Sequence, residues 1–126
     1  MVSTYSIGEL SREFSVTTRT IRFYEDEGLL SPGRRGRNRV FASRDRTRLK
    51  LILRGKRLGF ALSEIAELLS LYDGPGGETS QLQTFMHKIA EHRRVLSMRR
   101  MEIDAILEEM NSLEKHCRQI HGGVTQ

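Results

Sequence analysis

Cysteine is almost missing from this sequence, with Cys117 alone among 126 residues. A single thiol excludes an internal disulfide framework and any zinc or iron–sulfur site built from paired cysteines of one chain. Long apolar runs are missing as well. Leu51-Ile52-Leu53 is typical in length and is flanked by Lys50 and Arg54, whereas a bilayer span needs about 20 apolar residues. The opening Met1-Val2-Ser3-Thr4-Tyr5-Ser6 lacks the basic and then apolar regions of a signal peptide. These absences predict a soluble, cytoplasmic protein with no membrane partner. Catalytic constellations are also lacking: there is no phosphate-binding glycine loop, no nucleophile elbow and no HExxH. Glu102, Asp104, Glu108 and Glu109 read as the ordinary exposed face of a helix. The expectation is a non-enzyme that needs no cofactor.

Positive charge is plentiful and unevenly placed. Residues 1–60 hold 14 basic and 6 acidic side chains, net +8, whereas residues 61–126 hold 7 and 10, net −3. Eleven of the basic residues lie between Arg34 and Arg57, where Asp45 is the one acid. A charge run by itself is usually a solvated face. Confined to one half of a small chain, it points to a polyanion partner for that half.

The elements around the run give it a context. Ser6-Ile7-Gly8-Glu9 has the spacing of a capping box, and Ile7, Leu10 and Phe14 follow at helical intervals, which predicts a helix over about 7–14. After a break at Ser15-Val16, Thr17 can cap a second helix with Ile21 and Tyr24 on one face, stopping at Gly28. Two short helices so joined form a helix-turn-helix pattern. Residues 31–42 contain Pro32, two glycines and four arginines, which excludes a helix. They predict a β-hairpin wing whose return strand holds Arg39-Val40-Phe41. Ser43 is the expected cap of a third helix ending at Gly59, and a fourth carries Leu62, Ile65, Leu68 and Leu69.

Residues 73–79, rich in Gly and followed by a second capping box at Ser80-Gln81-Leu82-Gln83, read as a linker. Beyond it, Leu82, Ile89, Leu96, Ile103, Met110 and Cys117 recur every seven residues, with Phe85, His92, Arg99, Ile106, Leu113 and Ile120 three positions later. This is a coiled-coil seam interrupted by His92 and Arg99, of which His92 reads as a register-setting polar residue rather than a proton switch. At 1.5 Å per residue, the helix over 80–120 is roughly 60 Å long. So long a seam cannot be covered by so small a domain, so a second copy of the chain is expected on it. Residues 121–126 are expected to be a disordered tail, and residues 1–72 the DNA-binding domain.

Several of these stretches carry a family pattern. Tyr5-Ser6-Ile7-Gly8-Glu9-Leu10, Val16 through Glu25, Gly28-Leu29-Leu30, Arg39-Val40-Phe41 and Arg57-Leu58-Gly59-Phe60 with Glu64-Ile65 resemble the MerR family of bacterial transcription regulators. The resemblance is specific over residues 5–72 and rests on layout beyond them. Arg44 through Phe60, with Leu71-Tyr72-Asp73, is similar to a branch that includes regulators of leucine and isovalerate degradation. The resemblance implies a mainly α protein: a winged helix-turn-helix followed by a long antiparallel coiled-coil dimerisation helix. It implies a homodimer on promoter DNA that bends and untwists the duplex for RNA polymerase when a small-molecule effector binds. Thr18, Arg19, Arg22 and Tyr24 match positions that read or clamp DNA, and Arg39 matches the wing arginine. With Thr17, Thr20, Arg37, Asn38, Lys56 and Arg57, these are the expected DNA-binding residues. The expected dimer seam is Leu82, Ile89, Leu96, Ile103, Ile106, Met110 and Leu113.

The sequence departs from the family pattern at Phe23 and Phe41, where many members have Tyr, and at Ala61, where Ser usually caps the fourth helix. The cysteine that metal-sensing members carry at the start of the long helix is absent, and Thr79 and Ser80 occupy that region. No metal site is therefore expected. Cys117, in phase with the seam and near His116 and His121, reads foremost as a buried apolar filler, then as a thiol-reactive sensor, and last as a metal ligand. An effector-independent architectural DNA-binding protein is one rival reading, and a small enzyme using Cys117, which has no base or pocket to serve it, is another.

Overall fold

The computed structural model describes residues 3–73 and 79–124. In chain order its elements are β1 (Thr4–Tyr5), α1 (Ile7–Phe14), α2 (Thr18–Asp26), β2 (Gly33–Arg35), β3 (Asn38–Ala42), α3 (Ser43–Arg57), α4 (Leu62–Asp73) and α5 (Thr79–Val124). The expected linker lies mostly outside the described residues, and so does the side chain of Ser80 in the second capping box. The fold falls into two units, residues 1–81 and 82–126.

In the first unit, helix starts follow local hydrogen-bond chemistry. Glu9 N–H donates to Ser6 Oγ at 3.1 Å and Ser6 N–H donates to Glu9 Oε1 at 3.0 Å, completing the box that begins α1. Thr20 N–H donates to Thr17 Oγ1 at 3.1 Å and so fixes the start of α2. Both starts were legible in the sequence. That of α3 was misread: the N-cap is Ala42, not Ser43, and it has no side chain to offer. Asp45 replaces it. Its carboxylate accepts from Ala42 N–H at 3.3 Å and from Ser31 N–H at 3.1 Å, pinning the turn after α2 to the start of α3. Asp45 is buried, so the lone acid of the basic run is structural.

The wing closes through a two-residue loop, since Arg35 pairs with Asn38 and Arg34 with Arg39. Gly36 has φ +65° and Arg37 does not share the positive sign, the pattern of a II′ hairpin turn, which calls for Gly first. β1 adds a third antiparallel strand, Tyr5 lying opposite Phe41, in the order β1-β3-β2. The core between sheet and helices is Leu10, Ile21, Tyr24, Leu29, Leu30, Phe41, Leu49, Ile52, Ile65 and Leu69. At Gly55 a Cβ would stand 2.8 Å from Ile65 Cγ1, so α3 and α4 approach there as only Gly allows.

α5 is one continuous helix of 46 residues, about 69 Å long at 1.5 Å per residue. It runs four residues past the expected end at 120, through Gly122 and Gly123, so residues 121–124 are helix rather than tail. A glycine costs a helix only about 1 kcal/mol, and no Pro stands in the way.

Candidate nucleic-acid interface

α2 has one apolar face and one charged face. Ile21 and Tyr24, three apart, are 0% and 2% exposed and belong to the core. The opposite face presents Arg19, Arg22, Phe23 and Asp26 to solvent. Neither Arg19 nor Arg22 has an ion-pair partner among the described residues, so both are available to an incoming anion or base edge. Thr17 and Thr20 are engaged in capping, with their hydroxyls 2.9 Å apart, and Thr18 is half-buried. Tyr24 corrects the sequence expectation. Its ring packs in the core and burial raises its pKa, so it supports the helix from behind. The aromatic ring on the outward face is Phe23, 46% exposed.

The wing presents Arg35, Arg37 and Asn38 at its tip, all exposed. Arg39, the expected wing contact, is ion-paired with Glu25. Its Nε donates to Glu25 Oε2 at 2.5 Å, with the side chains of the two residues 23% and 18% exposed. Arg34 Nη2 reaches the other oxygen of the same carboxylate at 3.4 Å.

The basic run along α3 also divides into structural and free residues. Arg46 makes a bidentate pair with Glu13, its Nε donating at 2.9 Å, and lies 5.8 Å over the rings of both Tyr5 and Phe14. The guanidinium holds the Glu13 carboxyl below its usual range. Arg48 Nε donates to the Leu29 carbonyl at 2.8 Å, and burial, then the neighbouring Arg44 charge, lower its pKa. Arg54, Lys56 and Arg57 remain exposed in the last turn, where they also complement the negative end of the helix. Glu25 and Asp45, the acids that organise this surface, were missed from sequence. The signal for Asp45 was its isolation among eleven cations.

On α5 most of the seam side chains are exposed in the single chain: Leu82, Leu96, Ile103, Ile106, Met110 and Leu113 are each 46–63% exposed, whereas Phe85 is 8% exposed. Ile89 is half-buried. Cys117 is exposed with them in the single chain; its phase implies burial only against a second copy. No group of three or more His, Cys, Asp or Glu among the described residues could hold a metal ion. No helix among them is long and apolar enough to cross a membrane.

Residues 5–71 match the family model of MerR HTH family regulatory proteins, and residues 46–116 match one described as MerR, DNA binding. The chain is similar to the HTH-type transcriptional regulator ZntR of Escherichia coli (strain K12), 32% identical over 119 residues that cover 93% of this chain and 78% of that one. It is also similar to the mercuric resistance operon regulatory protein of Pseudomonas fluorescens, 38% identical over 108 residues, 83% and 73% of the two chains. A solved MerR family transcriptional regulator from Bacillus cereus shares the fold with a TM-score of 0.69 at 27% identity, covering 90% of this chain and 81% of its own. Neither sequence relative's name concerns leucine or isovalerate degradation. Both are regulators rather than enzymes. With its family match spanning more than half the chain, this protein belongs to the MerR family of DNA-binding transcription regulators.

Proposed function

We propose that the chain acts in the cytoplasm as a homodimer that binds a promoter palindrome and, on binding a small organic effector, bends and untwists the DNA so that RNA polymerase can engage it. The observation that carries this reading is the pairing of two features in one chain. Arg19 and Arg22 stand without ion-pair partners on the outward face of α2, and a seam of apolar residues lies uncovered along α5. The first suits base edges in a major groove. The second suits a second copy, which would give the dimer two recognition helices for two half-sites. In this reading Arg37 and Asn38 touch backbone at the wing tip, and Lys56 and Arg57 reach phosphates from the end of α3. About four phosphates per subunit would give a log–log salt slope near −7 for the dimer. Residues 1–72 form the DNA-binding domain, 73–79 the linker and 80–120 the dimerisation segment.

The effector is assigned to organic chemistry because the chain has one thiol, Cys117, and has Thr79 and Ser80 where the resemblance implies a cysteine in metal-sensing members. Transcription measured on promoters of graded spacer length tests the mechanism. Activation should peak at a spacer longer than polymerase tolerates unaided. Equal activation at all spacer lengths would favour an architectural DNA-binding protein.

A further inference from the structure

Arg34 and Arg39 are directly opposite each other in the β2–β3 hairpin. Like charges at such positions oppose pairing of the strands, so a wing carrying both needs a counter-charge. Glu25 supplies it from another element. It lies near the end of α2, one residue after the core side chain Tyr24, and each of its oxygens takes one of the two arginines. The Arg39 pair is the tighter and drier, at 2.5 Å, and a charge-assisted bond of this kind is geometrically demanding. Its two ends belong to the two parts of the surface that would straddle adjacent DNA grooves.

We infer that Glu25 is the positioning residue that sets the wing against the recognition helix, and that Arg39 acts through Glu25 rather than on a phosphate. The proposal rests on the DNA-binding reading above. It runs against the naive electrostatic expectation, which is that removing an acid from a DNA-facing surface tightens binding. Here Glu25→Gln releases two like charges across one hairpin and uncouples the wing, so binding weakens. Arg39→Gln weakens binding through the same loss. Since Arg39 neutralises no phosphate in this scheme, its removal leaves the salt slope unchanged.

The test uses the full chain and a duplex selected by the wild-type protein from a random-sequence pool. Affinity is measured over a range of salt for wild type, Glu25→Gln, Arg39→Gln and the double variant, with circular dichroism melting on each to check folding. The expected result is a loss of about tenfold for each single variant, no further loss in the double, and one common slope; interaction between contacting residues is what makes such effects non-additive. Tighter binding by Glu25→Gln would overturn the proposal. So would a slope flattened by about 1.8 per dimer in Arg39→Gln, the value for two lost phosphate contacts. Nitrogen-15 NMR of the Arg39 Nε–H, without DNA, gives a second readout. A resonance shifted and slowed in exchange in wild type but not in Glu25→Gln is expected, and an identical resonance in both overturns the proposal. Failure of the wild-type chain to select any duplex would instead sink the DNA-binding reading, while the NMR comparison still decides whether the strut exists.

Discussion

Leucine at position 49 and leucine at position 113 meet opposite fates. Leu49 is 0% exposed in the core of the first unit, and Leu113, at an equally regular helical spacing, is 63% exposed on α5. The same periodic pattern thus produces a finished core in one region and a bare stripe in the other. A helix pays no attention to where its apolar face points until something packs on it, so periodicity reports a face and not its partner. In the first unit the partner is in the same chain. On α5 most of the stripe is exposed in the single chain, and the proposed partner is a second α5, which the heptad spacing suits.

Truncating each leucine sharpens the contrast. Leu49→Ala should cost about 2–5 kcal/mol of stability, seen as a fall in melting temperature that is the same at every protein concentration. Leu113→Ala should leave the first unit intact and instead shift the concentration at which the dimer dissociates. A concentration-dependent melting loss for Leu49→Ala, or none of either kind for Leu113→Ala, would break the comparison.

The exposed face of α2 should respond in function without responding in stability. Arg19→Ala is expected to lose about 1–3 kcal/mol of operator binding per half-site and to relax sequence preference, with an unchanged melting curve. Equal losses on selected and random duplexes would mean that Arg19 holds backbone rather than reading bases.

The start of α4 offers a smaller change in the opposite direction. Ala61 C=O accepts from Ile65 N–H at 3.0 Å, and Ala61 N–H donates to Glu64 Oε1 at 2.8 Å, so half a capping box is already in place. Ala61→Ser supplies the missing acceptor and should raise stability by about 0.5–1 kcal/mol. An unchanged melting midpoint would show that the serine does not reach the N3 amide.

Acid should have the smallest effect. The Glu13 carboxyl, held below its ordinary 4.5 first by the Arg46 hydrogen bond, favours the folded state above that pH. Its contribution is lost as pH falls through the lowered folded value. Because the pair is solvent-exposed, the change is modest. Melting measured from pH 6 down to pH 2 should fall less steeply in Glu13→Gln than in wild type, and parallel curves would refute the assignment.

Much of this architecture was readable from residues because it is written locally. The box at Ser6 and Glu9, the cap at Thr17, the glycine turn of the wing and the heptads of α5 each need only neighbours in sequence. What was misread depends on residues far apart. β1 is two residues long and exists only because Phe41 and Ala42 lie beside it. The cap of α3 comes from Asp45, which also serves Ser31 fourteen positions earlier. Tyr24 was assigned both to the apolar face of α2 and to the interface, and burial decides for the face. Arg39 could not be told from Arg37 by sequence, since its distinguishing partner, Glu25, lies on another element. Exposed Cys117 shows the converse limit: its phase names a stripe and not what covers it.

Sedimentation of the full chain and of Ile103→Asp, with operator affinity measured on both, tests most directly whether that second chain is another copy. Burying one seam Ile or Leu contributes about 1.5–3 kcal/mol, and the substitution would place a carboxylate from each copy in the seam. The wild-type chain should sediment as a dimer and bind one palindrome tightly. Ile103→Asp should sediment as a monomer whose circular dichroism still shows a folded first unit, and its affinity should fall towards that for random DNA, because one half-site supplies too few contacts. A wild-type monomer, or an Ile103→Asp dimer that binds the palindrome as tightly as wild type, would contradict dimerisation through α5.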